Sequence, residues 1–431
     1  MQARTHTALH SDRRGWRRTA ALTLGAALGL SGLSGLGLQP LLAQTGKPAA
    51  KAAATGATAA TIATDKVALV SLDDDPRYGA RRLERAYPGH PGGRLLDAVQ
   101  LGIDDAEVAL RGIRHGLALQ DARAASLEAL PGLLAQLKQD KVKFWLLDLP
   151  PEGVQLAVNA AGSTALLLNL SAPHDALRGA HCAAQLLHTL PSHAMLQDAL
   201  VQYLAARSWQ NAWVLQGPSS DDALLLAAWN RAAKRYGIKT AGIRTFKLSG
   251  DPRERDLANT RLLTADRQHG LVTVLDADGE FARTLPYATQ QPRPVVGSNG
   301  LMPLAWHPQW ERNGGPQVSR RFRKLAGRPM TGQDWSAWIA LRAVVATLVE
   351  QPQASAVGHA RALRGGRIFV DGAKGPRLSF RAWDGQLRQP VFLAHGDGVV
   401  GLAPLDGVLH PTEVLDTLGI DQRESACKAA P

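Results

Sequence analysis

Residues Asn169–Tyr203 read NLSAPHDALRGAHCAAQLLHTLPSHAMLQDALVQY, and this stretch decides how the chain is organised. An apolar run before it gives way to Ser171-Ala172-Pro173. A second short apolar run, Gln185–Leu190, is followed by Pro191-Ser192, which opens an amphipathic helix. In open α/β sheets, polar residues directly after a strand lie at the carboxyl edge, where ligands bind. We therefore interpret the stretch as a crossover between two lobes with a cleft between them.

Strand and helix patterns alternate on both sides of this crossover. Before it, strand patterns fall at 66–72, 115–120, 142–149 and 164–170, and helix patterns at 94–110, 126–139 and 152–161. After it, helix patterns fall at 192–207, 221–236, 253–268 and 279–287, and strand patterns at 212–216, 238–246, 271–276 and 295–297. This alternation predicts an α/β protein of two Rossmann-like lobes, each a parallel sheet flanked by helices.

The last third of the chain is expected to return to both lobes. A long helix is predicted at 331–350, and beyond Gly365 the pattern changes to short strands. We expect lobe 1 to contain 66–190 and 298–350, and lobe 2 to contain 191–297 and 351–431. The crossing segments are then predicted near Leu190, Val296 and Glu350.

Composition and charge describe a globular protein without a nucleic-acid site. The chain has 431 residues, 45% hydrophobic and 20% charged, with a formal net charge of +12. Residues 1–43 contribute +4 of this charge, which leaves +8 for the rest. The basic residues are scattered and form no stripe with interleaved aromatics, so a solvated basic surface explains them better than nucleic-acid binding.

The N-terminus has the pattern of an export signal. Arg13–Arg18 form a basic region, Thr19–Leu38 are apolar, and Ala43 offers a small residue at a cleavage point. We predict a signal peptide over 1–43, a flexible Ala/Thr/Gly tether over 44–65 and a periplasmic protein that is not an integral membrane protein once processed. An uncleaved anchor is the alternative, which five glycines and the modest length disfavour. Sec and twin-arginine export both fit the arginines.

Cys182 and Cys427 are the only cysteines. In an exported chain an even count favours a disulfide between them, whereas two free buried thiols are the alternative. No CxxC or CxxCH motif supports redox chemistry or an attached haem.

Motifs of the common enzyme classes are missing from the sequence. There is no GxSxG, GxxxxGK[ST], HExxH or GxGxxG pattern, and the thirteen histidines have no metal-ligand spacing. We expect a protein that is not an enzyme, with no cofactor and no metal site.

Several blocks of the chain resemble a known family. Gly375–Phe380, Asp384-Gly385 and Val391–Leu393 are similar to the terminal hairpin of the type I periplasmic substrate-binding proteins of ABC transporters, the branched-chain amino-acid-binding group. A narrower resemblance is to the substrate-binding protein associated with pyrroloquinoline-quinone-dependent alcohol dehydrogenase systems. Its blocks are APHDALRGAHC, LLHTLPS, RAAKRYG, GRPMT, LSFRAWDGQLRQP and the tail LHPTEVLDTLG with ESAC.

This resemblance implies the two-lobed Venus-flytrap fold and a receptor that closes on a small ligand and delivers it to an ABC permease in the inner membrane. Amino-acid binders of the family usually hold the ligand carboxylate with a hydroxyl-rich turn after the third strand. Here that turn reads Asp148-Leu149-Pro150-Pro151-Glu152 and has no hydroxyl, whereas the next turn keeps Ser171. We therefore expect leucine-like amino acids to bind weakly or not at all. The acidic residues among the candidate ligand groups suggest a cationic or polyhydroxylated ligand instead.

Polar residues after predicted strands and at helix starts are the candidate ligand groups. Each has a structural alternative: loop solvation or a helix cap for the acids after the first strand, capping for those at the crossover, and helix-terminus or turn chemistry for those in the second lobe. The candidates are Asp73, Asp74, Ser171, Asp175, Ser192, His193, Asp276, Asp278 and Asn299.

Three functional hypotheses remain at this point. The first is a solute receptor for a transporter, the second a ligand-sensing accessory protein of a quinoprotein oxidation system, and the third an exported enzyme.

Overall fold

The computed structural model describes residues 63–428, so the predicted signal peptide and most of the predicted tether lie outside the described residues. The first strand begins at Ala63, three residues before its predicted start. The strands are β1 (Ala63–Leu72), β2 (His115–Ala124), β3 (Phe144–Asp148), β4 (Leu166–Asn169), β5 (Leu186–His188), β6 (Ala212–Gln216), β7 (Thr240–Thr245), β8 (Leu271–Leu275), β9 (Val295–Gly297), β10 (Leu301–Leu304), β11 (Val370–Asp371), β12 (Arg377–Leu378), β13 (Val391–His395) and β14 (Gly398–Ala403). The helices are α1 (Ala80–Arg85), α2 (Leu96–Gly112), α3 (Leu130–Gln139), α4 (Pro151–Ala161), α5 (His193–Ala206), α6 (Ser220–Tyr236), α7 (Thr260–Leu263), α8 (Gly315–Ala326), α9 (Gly332–Glu350) and α10 (Ala356–Arg364).

A five-stranded parallel sheet in the order β2-β1-β3-β4-β5 forms the centre of lobe 1. Every residue of β3, β4 and β5 is buried, as expected for parallel strands covered by helices on both faces. α9 packs against α2 so closely that a Cβ at Gly102 would lie 2.8 Å from Leu341 Cδ2. This close approach of two helices explains why α2 carries glycine there.

A seven-stranded mixed sheet in the order β14-β13-β10-β9-β8-β6-β7 forms the centre of lobe 2. Its β6–β9 part is parallel, and β13 pairs antiparallel with both β10 and β14. α5 and α6 cover one face through a cluster that contains Leu200, Val214 and Trp229. The predicted α/β class, with two parallel-stranded sheets flanked by helices, is confirmed.

Three segments connect the lobes: 189–192 between β5 and α5, 305–314 between β10 and α8, and 379–390 between β12 and β13. The expected boundaries require correction in two places. β10, which we expected in lobe 1 as part of 298–350, is hydrogen-bonded into the second sheet. α10, which we expected in lobe 2 as part of 351–431, packs on β4 and α9 of lobe 1.

The physical reason is that the sequence of a short strand does not determine which of the two sheets the strand joins. β11 and β12 form a separate two-stranded ribbon against α9, so the change of pattern beyond Gly365 does not mark entry into lobe 2. Two predicted helices are also absent as long helices. Residues 253–268 form a 3-10 turn and the four-residue α7, because Asn259 starts a new cap, and within 279–287 only Leu285–Tyr287 is helical.

The predicted disulfide is confirmed. Cys182 and Cys427 are bonded, with their Cα atoms 5.6 Å apart. The bond joins the end of the C-terminal tail to lobe 1, while Gly419 of the same tail donates its N–H to Asp198 on α5 of lobe 2. Between residues 63 and 428, no helix is long and apolar enough to cross a membrane.

Candidate functional site

A cleft of ≈ 1380 Å³ opens between the lobes at the carboxyl ends of their strands. From lobe 1 it is lined by residues that follow β1, β3 and β4, including Asp74, Pro150 and Ser171. From lobe 2 it is lined by residues that follow β8 and β9, including Asp276 and Asn299. This is the edge where parallel α/β sheets place their ligands.

Five predicted site residues line the cleft: Asp74, Ser171, His193, Asp276 and Asn299. Three of them already hydrogen-bond to backbone groups of the turns at the cleft edge. The Ser171 hydroxyl lies 3.5 Å from the Leu149 carbonyl, Asp276 accepts a bond from the Ala282 N–H at 2.8 Å, and Asn299 donates to the Ala282 carbonyl at 3.0 Å.

The buried position of Asp276 affects the protonation of its carboxyl. Its side chain is 4% exposed, and burial raises the pKa of the carboxyl, while N–H groups of the following turn act in the opposite direction. This acid organises the turn that carries residues 277–282, so its contact with a ligand stays a prediction.

The other four predicted residues do not line the cleft. Ser192 caps α5 by accepting a bond from the Met195 N–H, and Asp175 accepts one from Ala194 at the same helix start. Both capping alternatives are therefore present. Asp73 is exposed beside the cleft, and Asp278 forms an ion pair with Arg82.

A network of charged side chains lies beside the acidic residues that follow β1. Arg77 bonds to Asp75 and to Asp148 at the end of β3, and the Tyr78 hydroxyl donates to Asp148 at 2.6 Å. Burial and the Asp148 carboxylate raise the pKa of Tyr78 well above its ordinary value. The turn that lacks a hydroxyl thus begins with a buried acid held by Arg77 and Tyr78, and Pro150 and Pro151 present an apolar surface to the cleft.

Two histidines meet where the first crossing segment enters lobe 2. The His174 and His193 rings pack edge to face with centroids 5.5 Å apart, and His174 Nε2 lies 3.3 Å from Asp221 of α6. Burial lowers the pKa of His193 to about 4, so this imidazole is neutral at pH 7. Its Nδ1 is buried and has no hydrogen-bond partner within residues 63–428.

A salt-bridged contact, which we call the interlobe latch, joins the lobes at the mouth of the cleft. Arg82 pairs with Asp278, and both Arg85 and Tyr87 bond to Glu280. His90 adds its ring to the same contact: its Nδ1 lies 3.1 Å from the Arg82 guanidinium, and burial together with Arg82 lowers its pKa to about 4.

No local sequence pattern predicts the interlobe latch. Residues 77–93 are rich in charge, proline and glycine, a composition typical of a loop, but α1 lies within them and supplies both arginines. The partners are 195 and 196 residues apart along the chain, so only the fold brings them together. A pattern of like charges on each segment was visible, but nothing in it specified the pairing.

Aromatic and sulfur side chains at the second crossing segment also line the cleft and were not predicted. Trp306 and His307 follow β10, and Met330 precedes α9. Trp306 stacks on Trp335 with centroids 6.4 Å apart, which fixes the crossing segment on lobe 1. Across residues 63–428, no group of three or more His, Cys, Asp or Glu side chains is placed to hold a metal ion.

Comparison with solved structures identifies the fold. No family model matches the sequence, and no curated protein matches it. The chain superposes on a leucine-, isoleucine-, valine-, threonine- and alanine-binding protein from Brucella ovis in its closed conformation. The TM-score is 0.66 at 15% identity, over 85% of this chain and 100% of that one.

Other solved structures show the same architecture. One is a solute-binding protein of an ABC transporter from Rhodopseudomonas palustris BisB5 in complex with 3,4-dihydroxybenzoic acid (TM-score 0.60, 14% identity, 79% of this chain and 94% of that one). Another is a branched-chain amino-acid transporter substrate-binding protein from Streptococcus pneumoniae with isoleucine (TM-score 0.60, 13% identity, 79% and 98%). The chain has the type I periplasmic binding protein fold.

Proposed function

We propose that this chain is an exported solute-binding receptor of an ABC transporter, which closes two lobes on a small ligand in the periplasm. The observation that carries the proposal is the cleft itself, which lies at the carboxyl ends of strands from two sheets joined by three crossing segments. A ligand that contacts both lobes favours the closed state, because only differential contacts shift such an equilibrium. The solved structures named above bind amino acids or a small aromatic acid with the same architecture.

The disulfide and the N-terminal pattern support the periplasmic location. Disulfides persist in oxidising compartments, and the bond between Cys182 and Cys427 has suitable geometry. The signal peptide over 1–43 and the partner permease in the inner membrane belong to the proposal.

The finer assignment links the receptor to a pyrroloquinoline-quinone-dependent alcohol oxidation system. It rests on the sequence blocks that resemble that group, chiefly 378–390 and the tail. Both blocks are structural: Arg381 and Arg388 bond to the buried Asp416 at 2.8 Å each, which joins the third crossing segment to the tail. The ligand would then be an alcohol, its oxidation product, the quinone cofactor or a precursor, or a metal ion that the cofactor needs.

The test of the receptor role is ligand retention. Protein purified from periplasm should retain a small molecule detectable by native mass spectrometry, and ligand should reduce the radius of gyration in solution scattering. Ala277→Trp, which fills the cleft at a half-buried lining residue, should abolish retention. Ala129→Trp, on an exposed residue outside the cleft, is the matched control. Equal retention by both variants would contradict a receptor that uses this cleft, and turnover of the retained molecule would point to an enzyme.

A further inference from the structure

The size of the cleft bears on the size of the ligand, because the lobes already touch at the rim of the cleft. On one side the interlobe latch joins α1 to the 278–280 turn. At the crossover, His174 of lobe 1 lies 3.3 Å from Asp221 of lobe 2. Contacts at these two places show that the lobes already meet around the remaining space.

That remaining space is too large for a free amino acid alone. Pockets for drug-sized ligands span about 300–1,000 Å³ and bury most of the ligand. The cleft, at ≈ 1380 Å³, exceeds that range. A ligand as small as leucine would leave much of the wall facing water, and the contacts that stabilise closure would be few.

The walls favour an apolar body. Rigid or apolar side chains from both lobes and from the crossing segments face the cleft. They include Tyr87, Pro91, Pro150, Leu196, Tyr287 and Met330. Tyr287 is 91% exposed at the mouth of the cleft. Its ring is in contact with water, and a ligand ring or alkyl group that covers it would remove this unfavourable hydration.

Most of the cleft's charges are already neutralised by the protein, but Asp74 is not. Arg77, Arg82 and Arg85 are all paired with acids. Asp74 lies directly beyond β1, lines the cleft and accepts no side-chain hydrogen bond or ion pair from any described residue. In lobe 2, Asp276, Asp397 and Arg283 also lack ion-pair partners among residues 63–428, and these two acids outnumber the one base.

We propose that the ligand is a bulky, largely apolar amine, whose body fills the cleft and whose cationic nitrogen pairs with Asp74. This inference rests on the proposed receptor function and names the ligand class for the same site. The attraction between a ligand ammonium and the unpaired Asp74 carboxylate is strongest where the apolar body of the ligand excludes water from the pair.

Three probes separate size from charge. 2-(1-Naphthyl)ethylamine has a bulky body and a cationic group, 1-naphthylacetate has the same ring system with an anionic group, and 3-methylbutylamine is a small cation. Titration calorimetry should give at least a tenfold lower Kd for the naphthyl amine than for either other probe. Equal affinity for amine and acid would overturn the charge assignment, and equal affinity for large and small amines would overturn the size assignment.

Neighbouring aspartates supply a matched pair of variants. Asp74→Asn should weaken naphthyl-amine binding about tenfold and leave 1-naphthylacetate unaffected or slightly tighter. Asp73→Asn changes another exposed acid one residue earlier that does not line the cleft, and it should leave both Kd values unchanged. Equal losses in the two variants would overturn the role of Asp74.

Failure of this inference is distinguishable from failure of the receptor function. If an amino acid or a small aromatic acid binds and compacts the protein while the naphthyl amine does not, the receptor function stands and the ligand class is wrong. If Ala277→Trp has no effect on any retained molecule, the receptor function itself fails.

Discussion

A lysine without an acid lies buried at the junction of the crossing segments. Lys374 is fully buried, and its Nζ lies 3.5 Å from the centroid of the Trp335 ring. It donates to Gln389 Oε1 at 2.8 Å and to the Pro390 carbonyl at 3.2 Å. Gln389 in turn donates to the Thr189 carbonyl, so Lys374 and Gln389 together connect the first and third crossing segments to α9. Lys374 therefore fixes the geometry about which the lobes would move.

Burial without a counter-charge makes the stability of the protein depend on pH through this residue. Desolvation lowers the pKa of Lys374 well below 10.5, so the unfolded chain binds more protons than the folded one between the folded pKa and 10.5. Stability from this group therefore increases as pH rises through that window. Lys374→Met should reduce the gain in unfolding free energy between pH 7 and pH 10, measured by urea denaturation.

The control for Lys374→Met is Lys324→Met, which removes an exposed lysine from α8. It should retain the pH dependence of the wild type. If Lys374→Met also retains it, the ammonium does not lose its hydration on folding.

At the scale of elements, the interlobe latch joins a six-residue helix to one turn of the other lobe. Its members are partly exposed: the side chain of Asp278 is 66% exposed and that of Glu280 is 27% exposed. Exposed ion pairs contribute about 0–1 kcal/mol each. A latch of this strength biases the lobes toward contact without holding them permanently shut, which suits a receptor that must exchange its ligand.

The double variant Asp278→Asn with Glu280→Gln should open the protein. We expect the ratio of closed to open molecules without ligand to fall by roughly fivefold, for a loss on the order of 1 kcal/mol. Solution scattering should record a larger radius of gyration, and 1 M NaCl should produce a similar change in the wild type, because salt screens exposed pairs. Glu107→Gln removes a more exposed pair that lies within α2 and joins no lobes, and it should have no effect. A double variant as compact as the wild type would show that the latch contributes nothing to closure.

The elements also show what the sequence predicts and what it does not. Long, periodic segments such as α2, α6 and α9 were predicted within about two residues, because an amphipathic or buried pattern over many residues is locally determined. The helix predicted over 253–268 is wrong, because Pro252 and Asn259 each start a new turn. For the cleft, position after a strand or at a helix start placed five of nine candidates in the lining, and capping explains Asp175 and Ser192. The latch required pairing across about 195 residues, which no local pattern specifies.

At the scale of the whole molecule, the C-terminal tail connects both lobes beyond the three crossing segments. Arg231 and Arg235 of α6 donate to the Gly419 carbonyl in lobe 2. Asp416 of the tail is buried and holds Arg381 and Arg388 of the third crossing segment. The disulfide then fixes the end of the tail to residue 182 of lobe 1. The tail thus acts as a covalent limit on how far the lobes can separate.

This arrangement predicts how the protein responds to reduction. Breaking the bond between Cys182 and Cys427 frees the unfolded chain from a link across 245 positions, and native disulfides are typically worth about 2–5 kcal/mol. The buried Asp416 network remains in the reduced protein, so the tail should stay docked at residues 415–419 while residues 424–428 detach. We therefore expect Cys182→Ser with Cys427→Ser to lower the unfolding free energy by about 2–4 kcal/mol and to remain folded. Dithiothreitol should lower the stability of the wild type to that of the double variant and should not change the variant further. A wild type whose denaturation midpoint is unaffected by reductant would contradict the role of the disulfide in holding the tail.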